Sequence, residues 1–345
     1  MLLKALSAKA WLLTRQHRIV EATALYAASA RCAQEMDLPL MEAVARGNLA
    51  EVQAQSDLPG AESEGEQSLA LAARLGNPDG QAISLLNLAL FHFYTGDWAA
   101  TADRANQAIA VSPLQPIQAF GRAPLVLLLC ARGDPTGARP YLDGLESWAA
   151  SDDVQDRALL GVAEGALAMS ENRFGEALLA AARAAAESAQ VNGFRSEGFR
   201  LAWPLAIEAA LLADELDEAR SQLSVVADAP RGHVPPYVRA QLVRFRALIS
   251  IAEGSADPEI EADLRSAVDS MRDLGYRYWL ARAEADLGRW LAAQGRGADA
   301  EPLLVEARDI LSELGAQPDL DRVNAVLMST PGDDLPVADE LSTRG

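Results

Sequence analysis

Ile83-Ser84-Leu85-Leu86-Asn87-Leu88-Ala89, then Tyr94-Thr95-Gly96-Asp97-Trp98, then Ala105, Ala108-Ile109 and Pro113, form the stretch whose reading decides the fold. The apolar residues on either side of Gly96-Asp97 recur at helical spacing, not at the alternation of a strand. Gly96-Asp97 breaks them into two helices joined by a tight turn, and Pro113 stops the second helix. Small side chains at Ala89 and Ala108 let two antiparallel helices approach closely, and Trp98 is placed to plug the gap at the turn.

Sliding this pattern along the chain finds turn positions at His17, Ser56, Gly96, Gly133, Asn172, Asp214, Gly254 and Gly295. The residue five places beyond each turn is Ala22, Ala61, Thr101, Ala138, Ala177, Ala219, Glu259 and Ala300. Alanine at six of eight such sites fits a crossing point that tolerates only small side chains. Glu259 breaks the column inside Gly254-Ser255-Ala256-Asp257-Pro258, which reads as a lengthened turn. Leu75-Gly76, Leu274-Gly275 and Leu314-Gly315 close second helices, glycine taking the left-handed conformation cheaply there.

The segment from Ile83 to Pro113 resembles the tetratricopeptide repeat (TPR): Asn87, Leu88, Ala89, Gly96, Asp97, Trp98, Ala108 and Pro113 fall where that pattern expects such residues. Thr101 departs from the usual Ala, and His92 from the usual aromatic. The expected fold is all-α, a right-handed α-solenoid of about eight TPR-like helix-turn-helix repeats, each of roughly 40 residues. Residues 1–328 make up this solenoid, with joints or surface loops near 112–117 and 230–236, and 329–345 form an acidic disordered tail. Ala-rich repeats of this length ending in Leu-Gly are similar to the helical arms of MalT/LuxR-type ATPase regulators and of class III nucleotide cyclases. The chain departs from both: no DNA-binding helix-turn-helix follows the last repeat, and no ATPase or cyclase domain precedes the first.

Composition excludes several function classes. With 30 Lys+Arg against 49 Asp+Glu the net charge is −19, which disfavours direct nucleic-acid binding because a phosphate backbone needs a basic face. The longest apolar run, from Pro124 to Cys130, is far below the ~20 residues that span a bilayer, so no membrane partner is expected. The N-terminal Met1 to Ala10 faintly imitates a secretory signal, but Lys9 interrupts the apolar run and an amphipathic helix is the better reading. Cys32 and Cys130 stand alone and His17, His92 and His233 lie far apart, so no disulfide framework, metal or cofactor is expected, and a cytoplasmic location follows. Gly295-Arg296-Gly297-Ala298-Asp299-Ala300 matches a dinucleotide fingerprint, but it follows a helix where the fingerprint needs a strand. Asp152-Asp153, the cluster Asp214, Glu215, Asp217 and Glu218, and the pair Glu259 and Glu261 read as helix-start partners and solvated faces, so no enzyme is expected.

The TPR resemblance implies that the first helix of each unit lines a concave groove. Carried onto this chain, it offers Leu86, Asn87, Leu90, Phe93 and Tyr94 in the third unit, Arg246 in the penultimate, and Arg282, Asp286 and Arg289 in the last. The implied groove has an aromatic floor in one half and arginines at the other end that would fork onto carboxylates. The alternative is that Phe93 and Tyr94 pack against the next repeat and the arginines pair with neighbouring acids. The implied function is a non-catalytic scaffold for protein–protein interaction, a regulatory or adaptor module in bacterial signal transduction or transcription regulation. The alternatives are a small-molecule-sensing solenoid and the severed C-terminal arm of a larger ATPase or cyclase regulator. A homodimer through the N-terminal repeat is also expected, because Leu2, Leu6 and Leu13 would form an uncovered apolar face on the first helix.

Overall fold

The structure is a computed structural model that describes residues 2–111, 115–230, 232–255 and 257–329, so the expected tail falls almost wholly outside the described residues. These residues form α1 (Leu2–Arg15), α2 (Ile19–Glu35), α3 (Pro39–Gln53), α4 (Leu58–Arg74), α5 (Pro78–Thr95), α6 (Trp98–Val111), α7 (Gln115–Ala131), α8 (Pro135–Asp143), α9 (Val154–Ser170) and α10 (Phe174–Val191). The chain continues as α11 (Glu197–Leu212), α12 (Leu216–Ala227), α13 (Pro236–Ala252), α14 (Glu259–Leu274), α15 (Arg277–Ala293), α16 (Gly297–Leu314) and α17 (Gln317–Ser329). Among the described residues there is no strand. Each odd-numbered helix up to α15 packs antiparallel on the even one after it, and α17 closes the stack.

The turns sit where the sequence pattern puts them. His17, Gly96, Gly133, Asn172, Asp214, Gly254 and Gly295 all adopt left-handed backbone, with φ from 59° to 85°. Asp and Asn tolerate that region because their short side chains bond locally; glycine occupies it without steric cost. Some helix starts carry side-chain caps: Asp57, Asn77 and Asp134 each accept a bond from a backbone N–H three residues on, and Pro follows within two residues of each cap. The crossing column Ala22, Ala61, Thr101, Ala138, Ala177, Ala219 and Ala300 is completely buried. Where the turn at Gly254 is longer, Ile260 takes the buried place and Glu259 faces solvent.

The array winds far enough for its second turn to rest on its first. C-terminal ends of early first helices meet N-terminal ends of late ones: Tyr276 Oη before α15 donates to Ala54 O after α3 at 3.1 Å. Gln55 Oε1 accepts from Arg195 Nη1 at 2.6 Å, and Arg132 Nε beyond α7 donates to Leu314 O at 3.3 Å. At Gly96, beyond α5, a Cβ would lie 3.1 Å from Arg277 Cβ, so glycine is needed there for close approach as well as for its φ of 85°. The imidazoles of His17 and His233 stack with centroids 3.9 Å apart, clasping the α1–α2 turn to the loop before α13.

The open N-terminal end differs from expectation. Leu13 is buried and Leu6 half-buried against the rest of the fold, while the apolar residues left in solvent are Trp11, Leu12 and Val20. The helix is rotated so that its Leu3, Ala10 and Leu13 stripe faces α2, which uses internally part of the face expected to seat a second copy. Leu2's side chain lies outside the described residues.

Candidate ligand-binding hollow

First helices line the inside of the superhelix, and a septum divides that inside into two hollows. The septum is aromatic. Tyr94 from α5 stacks on Tyr276 with centroids 4.8 Å apart, and Trp279 from α15 lies 5.0 Å from Tyr94 and 5.6 Å from Tyr237. Phe93 stacks on Trp98 at 5.6 Å on the other side. Arg200 from α11 is sealed among these rings, its guanidinium 4.7 Å over Tyr94, donating 2.7 Å to Tyr276 Oη and 3.1 Å to Glu197 Oε2. Tyr94 donates to the other oxygen of Glu197. A buried guanidinium survives here because it faces a carboxylate, a hydroxyl and two π faces at once. Burial drives the Tyr94 phenol far above its ordinary range despite Arg200 beside it, so both hydroxyls stay protonated as donors.

The hollow of the first superhelical turn has a volume of about 390 Å³. Its walls are α3 with Leu40, Val44, Gly47, Asn48 and Glu51, α5 with Leu86, Asn87 and Leu90, and the N-terminal ends of α9 and α11. The floor is mostly apolar. Asn48 and Asn87 are half-buried, and neither carboxamide has a hydrogen-bond partner among the described residues. The rim carries Leu40, Val44 and Ile83, all about half exposed. Asp153 caps α9 through Gln155 N at 2.8 Å, and Asp156 accepts from Ser151 Oγ at 2.7 Å. Burial, with Asp153 beside it, raises the Asp156 pKa above the usual carboxylate value.

The second hollow, about 370 Å³, lies beyond the septum between Phe93, Tyr278, Trp279, Arg282 and the start of α17. Its charges are matched. Arg282 bonds Glu208 at 2.8 Å and lies 3.7 Å from Asp319, Arg244 bonds Glu208 at 3.0 Å and Asp286 at 2.7 Å, and Arg289 also holds Asp286. This lattice ties α11, α13, α15 and α17 together and holds Asp286 and Asp319 below the ordinary carboxylate range against the cost of burial.

The structure therefore divides the residues the sequence grouped in one groove. Leu86, Asn87 and Leu90 line the first hollow. Phe93 and Tyr94 pack in the septum against rings of a later superhelical turn, and of the two it is Phe93 that lines the second hollow. Arg282, Asp286 and Arg289 lie together at the far end, each already paired. Arg246 stands apart: its side chain is half exposed and forks onto Asp263 of α14, away from both hollows. Glu51, Asn48, Glu197 and Arg200 were missed. The opening prolines offer the register that would have found two of them. Asn48 is nine residues past Pro39 as Asn87 is nine past Pro78, and Glu51 occupies the place of Leu90.

No family model and no curated protein matches this chain. Among solved structures, the Rap protein complexed with competence and sporulation factor superposes with a TM-score of 0.63 at 13% identity, over 91% of this chain and 99% of that one. The fold is a TPR-like helical solenoid. Yeast Tom70 matches at 14% identity and a TM-score of 0.44, covering 89% of this chain and 60% of that chain. The TPR domain of P58(IPK) matches at 14% identity and 0.30, covering 96% and 94%. Among the described residues no helix is long and apolar enough to cross a membrane, and no cluster of three metal-ligating side chains occurs.

Proposed function

We propose that the chain is a non-catalytic interaction module that holds an extended peptide, or a peptide segment of a partner protein, in the hollow of the first superhelical turn. The observation that carries this is the pair of unpartnered carboxamides, Asn48 and Asn87, standing over an apolar floor that continues onto the exposed rim of Leu40, Val44 and Ile83. A carboxamide both donates and accepts, which suits a peptide backbone, and side chains of an extended ligand would spread over the rim. The Rap protein that shares this fold was solved with competence and sporulation factor bound, which supports a polypeptide-scale role for the same architecture. A regulatory or adaptor part in bacterial cytoplasmic signalling extends this reading. The second reading, a small-molecule sensor, draws on the hollow's volume, which lies within the range of ligand pockets.

Panning a displayed random-peptide library against the full chain tests the proposal. Peptides retained by the wild type and lost on Val44→Trp, which fills the hollow from its exposed rim, are the expected result. No retained peptide, together with a thermal shift from a metabolite panel that Val44→Trp abolishes, would replace it with the sensor reading.

A further inference from the structure

Around the first hollow stand four carboxylates, Glu51, Asp153, Asp156 and Glu197, and one guanidinium, that of Arg200. Arg200 is spent on Glu197, so three negative charges have no ion-pair partner among the described residues. Asp153 and Asp156 sit at the cap and in the first turn of α9, where unbonded backbone N–H groups favour negative charge, so the fold itself accounts for them in part. Glu51 has no such account. It lies in the last turn of α3, where the helix dipole opposes a carboxylate, and it makes no hydrogen bond among the described residues. Its carboxyl stays accessible inside the hollow, yet the surrounding walls strip bulk water and Glu197 stands near, and both push its pKa up. Glu51 thus has no compensating partner in the empty protein. Local rules are broken in this way where a site is kept for a ligand.

We propose that the hollow takes a ligand bearing a cationic nitrogen, an amine or a guanidinium, which seats against Glu51 with Asp153 and Asp156 on the α9 wall. This rests on the reading of the hollow as a peptide site; the hollow exists without the carboxylates, and they decide the sign of what enters it. A cation there would be held in a partly dry space, where charge-assisted bonds are stronger than at an open surface. The apolar floor takes the stem or the neighbouring side chains, and Asn48 and Asn87 take the backbone. The cation is either a free α-amino terminus or a Lys or Arg side chain.

The test uses peptides selected by the full chain from a random library, resynthesised with a free or acetylated N-terminus and with arginine replaced by citrulline. The expected outcome is enrichment of cationic peptides, an affinity loss of about tenfold or more in Glu51→Gln, and a raised melting temperature of the empty Glu51→Gln protein. A purely structural Glu51 would not produce that opposite pair of changes. Asp156→Asn gives the same affinity trend from the other wall. Loss on acetylation assigns the cation to the terminus; loss on citrulline substitution assigns it to the side chain. Neutral or acidic peptides that bind wild type and Glu51→Gln alike would overturn the cationic specificity and leave the peptide reading standing. No retained peptide at all would remove both.

Discussion

Glu284 provides a sharp test of how the late repeats are held together. Its side chain is fully buried in α15, with Oε1 accepting from Arg272 Nη2 at 2.6 Å while Oε2 is buried without a partner. Arg272 also reaches Glu306 on α16 at 2.9 Å, so two acids share one half-exposed guanidinium. Burial first, then Glu306, raises the Glu284 pKa to about 8 from an ordinary 4.5. A carboxyl raised in the fold contributes stability that is complete below pH 4.5 and is lost as pH climbs through 8. At about 1.4 kcal/mol per unit, the fold gives up roughly 1.4 kcal/mol by pH 5.5 and roughly 3 kcal/mol by pH 7 on this group alone. Glu284→Gln imitates the protonated form: its carbonyl keeps the bond from Arg272 and its amide can donate to Glu306. Urea unfolding at pH 5.5, 7 and 8.5 should show the variant gaining on the wild type by about 2 kcal/mol between the first two values. Parallel stability curves for the two proteins would refute the burial argument, and a variant less stable at every pH would show that the Arg272 ion pair outweighs it.

Three further outcomes follow from the same physics. Gly96→Ala should cost clearly more than Gly295→Ala in urea unfolding: both pay roughly 1 kcal/mol for left-handed backbone, but only at Gly96 does the new methyl press on Arg277 and Leu314, whereas at Gly295 it enters open space. Arg200→Met should destabilise by about 3 kcal/mol and change the near-ultraviolet dichroism of Tyr94, Tyr276 and Trp279, because it leaves Glu197 at the septum without its cation. Burial, His233 and Arg195 all lower the His17 pKa, so the clasp is complete above pH 6.5 and weakens as pH falls below it. Amide protection factors in α1 and α2, corrected for intrinsic exchange, should therefore fall between pH 7.5 and 5.5 in the wild type, and lose that dependence in His17→Gln.

What the sequence shows and what it hides divide along a physical line. Turn residues and the crossing column are local: a left-handed Gly133 or Asn172, and a buried Ala177 five residues beyond the turn, are required by one helix pair whatever its neighbours do. Spacing alone therefore places them, and even the slip from Glu259 to Ile260 follows from one longer turn. The septum is not local. Ala54 meets Tyr276 and Gln55 meets Arg195 only because small rotations accumulate over several repeats until one superhelical turn lands on another. An error of a few degrees per repeat, invisible in any single unit, would move α15 off α5. Phe93 and Tyr94 read as a groove floor for that reason: as the inner face of one repeat they are free, and only the pitch brings Tyr237, Tyr276 and Trp279 onto them. The same pitch leaves Asn48, Glu51 and Asn87 at the wall of the hollow, while further along α5 the later rings seal Phe93 and Tyr94. Closure of the superhelix thus makes the hollow by filling everything beside it. The chemistry left over, two free carboxamides and an unmatched carboxylate, comes from the stretches of α3 and α5 that line the hollow, beside the points where the second turn rests on the same two helices.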